Sequence, residues 1–264
     1  MQKLLEDFVA LTAQTKPVDA MDFYINDHRC GVITRSIWAD FEAIPQSIRK
    51  DICFSECHLT LQLPEDVNDR NRKLHEVASE LSQAGLLTKW RHEDLDVFDL
   101  DTGKVFAKVE RALFRFFGMK TQAVYAVGAS PDRRYWSGLR ALTKPIDPGL
   151  WDTLAAGLIA SGETPMSALL RELHEEAGLR EQDLQFLGGP AQFTVTRVVP
   201  EGWMHELAYV FPCVVPDDSK VHNVDGEVSA FTLFSQDELL EKIRTQQTPA
   251  DTAVAFLKTI ELLK

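Results

Sequence analysis

Glu172, Glu175 and Glu176 stand at i, i+3 and i+4, a spacing that puts three carboxylates on one face of any helix that carries them. Carboxylates this close repel one another unless cations sit between them. Hard oxygen donors that leave room for water and phosphate suit Mg²⁺ or Mn²⁺. A short Glu cluster is more commonly a solvated acidic face, so the neighbouring residues decide between the two readings. Thr164 can cap a helix and Pro165 suits its first turn. Met166, Leu169, Leu170, Leu173 and Ala177 recur at helical spacing and form a candidate buried stripe. Gly178 ends the helix at low cost.

Residues 157–179 read G-x5-E-x7-R-E-U-x-E-E-x-G-U with U aliphatic, running from Gly157 and Glu163 through Arg171 to Gly178 and Leu179. This resembles the Nudix box at every fixed position. The resemblance implies a metal-dependent hydrolase that cuts a diphosphate linked to another moiety, folded as an α/β/α sandwich around a mixed sheet. It implies Mg²⁺ or Mn²⁺ held by Glu172, Glu175 and Glu176, with the Gly157 carbonyl as an extra ligand. The catalytic base is then Glu175 or Glu227, and the sequence does not choose between them. Glu163 and Arg171 are expected to form an ion pair tying the box loop to its helix.

A second set of residues lies outside the box. Upstream stand Trp136, Arg140, Lys144, Pro148-Gly149 and Asp152; downstream, Asn223 to Val228 and then Phe231. Nearer the N-terminus are Trp90-Arg91-His92-Glu93 and the run from Glu110 to Gly118. Together these are similar to the Nudix subfamily related to thiamine pyrophosphokinase proteins, whose members carry an N-terminal α+β domain before the hydrolase domain. The subfamily implies hydrolysis of thiamine diphosphate, or of its oxidised analogues, to the monophosphate. The chain departs from that pattern at Leu158 and at Lys89, where the family has Gly, and at His92. ADP-ribose, a dinucleotide or a nucleotide sugar is the alternative substrate. A non-catalytic Nudix-fold binding module is the alternative to an enzyme, and the intact box carboxylates argue against it.

Arg140 and Lys144 are candidate phosphate ligands, against the plainer reading of surface cations. Trp136 and Trp203 lead Trp151 as residues that could stack on a substrate ring, against simple burial in the core. Glu227 follows an Asp225-Gly226 turn and is either a site carboxylate or a turn residue.

The 264 residues suffice for one large domain or two small ones, and 45% hydrophobic with 26% charged residues is ordinary for a globular protein. The net charge of −12 argues against nucleic acid as a partner. It leaves a small-molecule diphosphate open, because bound cations reverse the local field. No apolar run approaches the ~20 residues of a membrane span, and Met1 to Ala10 lacks a signal-peptide core. A cytoplasmic location is therefore expected, and a homodimer is left open. Cys30, Cys53, Cys57 and Cys213 read as reduced thiols, since the Cys53/Cys57/His58 group lacks a second ligand pair for zinc.

A division into residues 1–118, an α+β unit, and 119–264, the Nudix unit, is expected. In the first, 22–33 reads as strand and turn, 69–85 as a helix, 90–100 as a strand and 106–117 as a helix. In the second, 123–127, 135–142, 192–199, 205–215 and 227–234 read as strands, and 236–244 and 249–263 as helices. Strands flanking a helix in this order fit a mixed sheet between helices.

Overall fold

The computed structural model describes residues 1–34, 43–55, 57–87, 90–144 and 146–263; the departure at Lys89 lies outside the described residues. The N-terminal part has a four-stranded sheet of β1 (Met21–Ile25), β2 (His28–Ile33), β3 (Ile52–Phe54) and β4 (His58–Leu61), in the order β2-β1-β4-β3. The helix Val67–Gln83 starts at Asp66, whose carboxylate accepts from the Asn68 and Asp69 N–H groups. It buries Leu74, Val77, Ala78 and Leu81, the stripe its spacing predicts. β5 (Asp94–Phe98) and β6 (Val105–Glu110) pair as an antiparallel hairpin.

The helix expected over 106–117 does not form as one element. Val105–Glu110 is strand, and only Ala112–Phe116 is helical. Ala107 and Val109 are buried while Lys108 faces solvent, a period of two that pairs them with Val97 and Leu95. Pairing across the hairpin overrides a local run whose apolar residues also fit a helix.

The second half is one mixed sheet. Its strands are β7 (Lys120–Ala129), β8 (Tyr135–Arg140), β9 (Trp151–Asp152), β10 (Ala155–Leu158), β11 (Gln185–Phe186), β12 (Ala191–Val199), β13 (Gly202–Val214) and β14 (Val228–Phe234). The main order is β11-β13-β7-β8-β14, with β13 and β7 parallel; β10 pairs with β7, β12 with β13 and β9 with β8. β7 is buried on both faces. Ala123, Tyr125, Val127 and Ala129 pack toward the helices Gln236–Arg244 and Ala250–Leu262. Val124 and Ala126 pack toward Leu169 and Leu173 of the helix Pro165–Ala177. The alternation along one strand thus creates the α/β/α layers. The helix Gln2–Thr12 sends Phe8 into the same core as Val254 and Phe256.

The halves meet at specific contacts. Arg115 reaches Glu206 at 3.1 Å. The Ser161 N–H, in the box loop, donates to the Asp94 carbonyl at 2.8 Å. Leu158 packs against both the N-terminal core and the sheet. Among the described residues no helix is long and apolar enough to cross a membrane. Cys30 and Cys213 are buried, and Cys53 and Cys57 exposed, all four as free thiols.

Candidate active site

The box helix is locked at both ends. The Thr164 hydroxyl accepts from the Ser167 N–H, and the Ser167 hydroxyl accepts from the Thr164 N–H, two otherwise orphaned donors satisfied reciprocally. Pro165 occupies the first turn, and Gly178 closes the helix at φ +69°, a conformation costly for residues with a side chain. Leu169, Leu173 and Ala177 are fully buried, joined by Ala168. Leu170 is half-buried, and Met166 is exposed, against expectation. Met166 is in line with the stripe but in the first turn, outside the buried cluster that the later turns enter.

That seating turns Glu172 and Glu176 inward. Their side chains are 13% and 10% exposed. Burial pushes the Glu172 carboxyl up to about 7, against the opposing pull of Arg171. Burial likewise pushes Glu176 up to about 8, against Lys144 and the Ala156 N–H. The Ala156 N–H donates to Glu176 Oε2 at 3.0 Å, and Lys144 Nζ lies 3.6 Å from Oε1. Gly157 leaves room for the Glu172 carboxylate: a Cβ there would lie 1.9 Å from Glu172 Oε1 and displace it.

Glu175 points elsewhere. Its side chain is 51% exposed and lies 3.2 Å from Arg171 Nη1. Arg171 also grips Glu163 through two nitrogens, at 2.8 and 2.9 Å, and donates to the Leu158 carbonyl. This is the ion pair the sequence predicts, and it fastens the box loop to the helix. Among the described residues no three His, Cys, Asp or Glu side chains converge as a ready-made metal cage. The donor chemistry nevertheless fits a hard divalent cation. Two desolvated carboxylates lie beside the Gly157 backbone, and a cation would relieve the burial that now raises both.

The carboxylates open into a cleft of two communicating cavities. One, of about 220 Å³, is floored by Gly157, Glu172, Glu176, Asp152, Glu206 and Asp251. The other, of about 410 Å³, is lined by Arg91, Arg111, Phe114, Arg115, Thr143 and Glu201 among others. Arg111, Lys144, Ile146, Leu158 and Glu227 border both. Glu227 contacts Lys144 directly. Burial alone would raise the Glu227 carboxyl, but Lys144, with Arg91 and Arg111, holds it below its ordinary value.

Arg140 lines the floor with its guanidinium already committed. It donates to Asp152 at 2.6 Å and to the Ile146 and Asp147 carbonyls, bracing the segment that carries Ile146. Neither tryptophan lines the cleft. Trp136 is buried among Leu154, Phe211 and Leu169, and Trp203 with Ala20 and Val32. Strand register sends both rings into cores, so the structure does not bring them to a substrate ring. Phe114 is the aromatic side chain bordering the larger cavity.

Sequence reasoning named Asp152 but missed Glu206 and Asp251, the acidic residues that share the floor with it. Tyr125 OH lies 3.4 Å from Glu206 and 3.3 Å from Asp251, and the Thr252 hydroxyl donates to Asp152 at 2.6 Å. Burial, with Asp152 and Glu206 nearby, pushes Asp251 up to about 6. These residues come from β7, β9, β13 and the last helix, so no local spacing announces them.

The NUDIX domain family matches residues 119–254. A second family, described as a domain of unknown function (DUF4743), matches residues 3–121. Nudix hydrolase 20, chloroplastic, of Arabidopsis thaliana is 28% identical over 180 residues, covering 67% of this chain and 47% of its own length. Nudix hydrolase 24, chloroplastic, of the same plant is 27% identical over 194 residues, covering 71% and 52%. The chain spans about half the length of the curated relatives it matches. The crystal structure of DR0079 from Deinococcus radiodurans aligns with a TM-score of 0.47 at 20% identity, over 58% of this chain and 90% of that one. Because the NUDIX match runs across more than half of the residues and takes in the whole box helix with both buried carboxylates, this chain belongs to the NUDIX domain family.

Proposed function

We propose that the chain is a divalent-metal-dependent hydrolase of a diphosphate joined to an organic moiety, with thiamine diphosphate or its oxidised analogues as the substrate. The observation that carries this is the burial of Glu172 against Gly157 and of Glu176 against Ala156, in a cleft that also holds Lys144 and Glu227. Glu172, Glu176 and the Gly157 carbonyl would hold Mg²⁺ or Mn²⁺. The chemistry such an ion supplies when bound is neutralisation of diphosphate charge and acidification of water. Lys144, between Glu176 and Glu227, places a positive charge where a phosphate enters. Glu227, held ionised by that lysine, takes the proton of the attacking water. The water oxygen bonds to phosphorus, the bridging P–O bond breaks, and the products are an organic monophosphate and orthophosphate. Exposed Glu175, turned to Arg171, is placed less well for that role. Phe114, Ile146 and Leu158 offer an apolar wall for a heterocycle. In this reading the chain divides at Gly118-Met119 into an α+β unit and the hydrolase unit.

The test is a diphosphatase assay with Mg²⁺ on thiamine diphosphate, oxo-thiamine diphosphate and ADP-ribose, compared by kcat/KM. A preference for a thiamine-type diphosphate is expected. An advantage of about tenfold or more for ADP-ribose would overturn the substrate assignment while leaving the diphosphatase chemistry.

A further inference from the structure

The larger cavity is walled by both halves of the molecule, and the N-terminal half brings cations to it. Arg91 follows Trp90 in the segment before β5, and Arg111 follows β6; both border the cavity with Lys144 and Glu227. Both are close enough to Glu227 to stabilise its charge. Their own charges are poorly spent within the protein. The Arg91 backbone N–H donates to Glu110, but among the described residues its guanidinium has no hydrogen-bond or ion-pair partner. Arg111 uses one nitrogen, Nη1, on Glu93. Arg115 is tied to Glu206 through one nitrogen, Nη2. In a chain of net charge −12, an unpaired guanidinium and a half-used one facing one cavity are a local reversal of sign. The neighbouring floor carries the opposite excess, with Asp152, Glu172, Glu176, Glu206 and Asp251.

We propose that the N-terminal unit is part of the substrate site: Arg91 and Arg111 bind the free terminal phosphate of an organic diphosphate monoester, while the floor, whose carboxylates would hold a divalent cation, takes the phosphate joined to the organic moiety. A terminal phosphate carries up to two negative charges and three acceptor oxygens. Guanidinium forks meet such a group with paired, charge-assisted hydrogen bonds. A diphosphate substituted at both ends has no such terminus and gains nothing from these arginines. The proposal rests on the diphosphatase reading for its substrate, but the anion site can be tested apart from turnover.

Two measurements on the full chain decide it. First, kcat and KM are measured with Mg²⁺ for thiamine diphosphate and ADP-ribose in the wild type, Arg91→Gln and Arg91→Lys. The ratio of kcat/KM for the terminal diphosphate over ADP-ribose should fall about tenfold in Arg91→Gln, through KM, and recover in part in Arg91→Lys. A ratio unchanged within about twofold overturns the proposal and leaves the hydrolase reading standing. Second, inorganic phosphate is titrated calorimetrically into the metal-free protein. Binding weakened about tenfold in Arg91→Gln, in a variant that melts with the wild type, supports the anion site even if neither substrate turns over. Equal phosphate binding in both proteins overturns it. Arg111→Gln is the second variant, and its KM should move in the same direction.

Discussion

The two ends of the cleft are made of opposite charge by opposite means. The floor concentrates largely buried carboxylates, two of them from the box helix. The mouth concentrates guanidinium groups, drawn from separate segments of the N-terminal half. Burial lifts Glu172 and Glu176 toward and past neutrality, while the cations at the mouth keep half-buried Glu227 ionised. The floor thus holds more carboxylates than its own cations, Arg140, Lys144 and Arg197, offset, whereas at the mouth the cations predominate. A substrate with two phosphates can exploit both ends at once.

The largest way to break this comparison is to undermine the seat of the floor. Leu173 is fully buried in the core it shares with Val124, Ala126 and Leu169. Leu173→Ala should cost about 2–5 kcal/mol in stability. Urea titration reads it, and an unchanged midpoint would show that the helix face has been assigned backwards. The next largest effect separates floor from mouth by kinetics. Glu176→Gln keeps the size of the side chain and its contact with the Ala156 N–H while removing the charge. Turnover should drop by about 10²-fold or more, with the fold intact because one desolvated carboxyl has gone. Near-normal Mg²⁺-dependent turnover would remove Glu176 from the metal site.

The floor was far more legible in the sequence than the mouth, and the reason is range. Cap, Pro, stripe, clustered carboxylates and terminating Gly all lie within residues 157–179, so helical period alone places them. The same logic misplaces Met166, because period gives the face but not where the neighbouring layer ends. Strands buried on both faces, such as β7, are readable as apolar runs. β6 is not, since Phe106, Val109 and Leu113 suit a helix until Asp94–Phe98 is available to pair with. Arg91 and Arg111 stand inside quoted motifs, yet nothing local says that they face Lys144 and Glu227 across the junction. Trp136 and Trp203 show the converse: residue type suggested a ring-stacking role, and strand register put both in cores.

The smallest expected effect tests whether the floor's negative charge burdens the fold. Asp251 is buried, and that burial, with Asp152 and Glu206, raises its carboxyl from 3.8 to about 6. Its Oδ1 accepts from the Thr252 N–H and its Oδ2 from the Tyr125 hydroxyl; in an asparagine the amide oxygen keeps the first contact, and the NH2 can donate to the Tyr125 oxygen while that hydroxyl turns to Glu206. A raised carboxyl pKa means that the folded state binds the proton more tightly than the unfolded chain. Between about pH 4 and 6 the native state therefore holds more protons, and its contribution to stability declines as pH rises through that window. Above about 6 the full penalty of a buried, ionised Asp251 is present. Asp251→Asn removes it, so the variant should gain on the order of 2 kcal/mol over the wild type at pH 7.5 and little at pH 4. Melting both proteins without metal across that range checks the slope as well as the size. A variant less stable at pH 7.5 would mean that Asp251 is held as a useful anion rather than tolerated as a cost. The contrast between a floor with excess carboxylates and a mouth where cations predominate would then have to be redrawn around that residue.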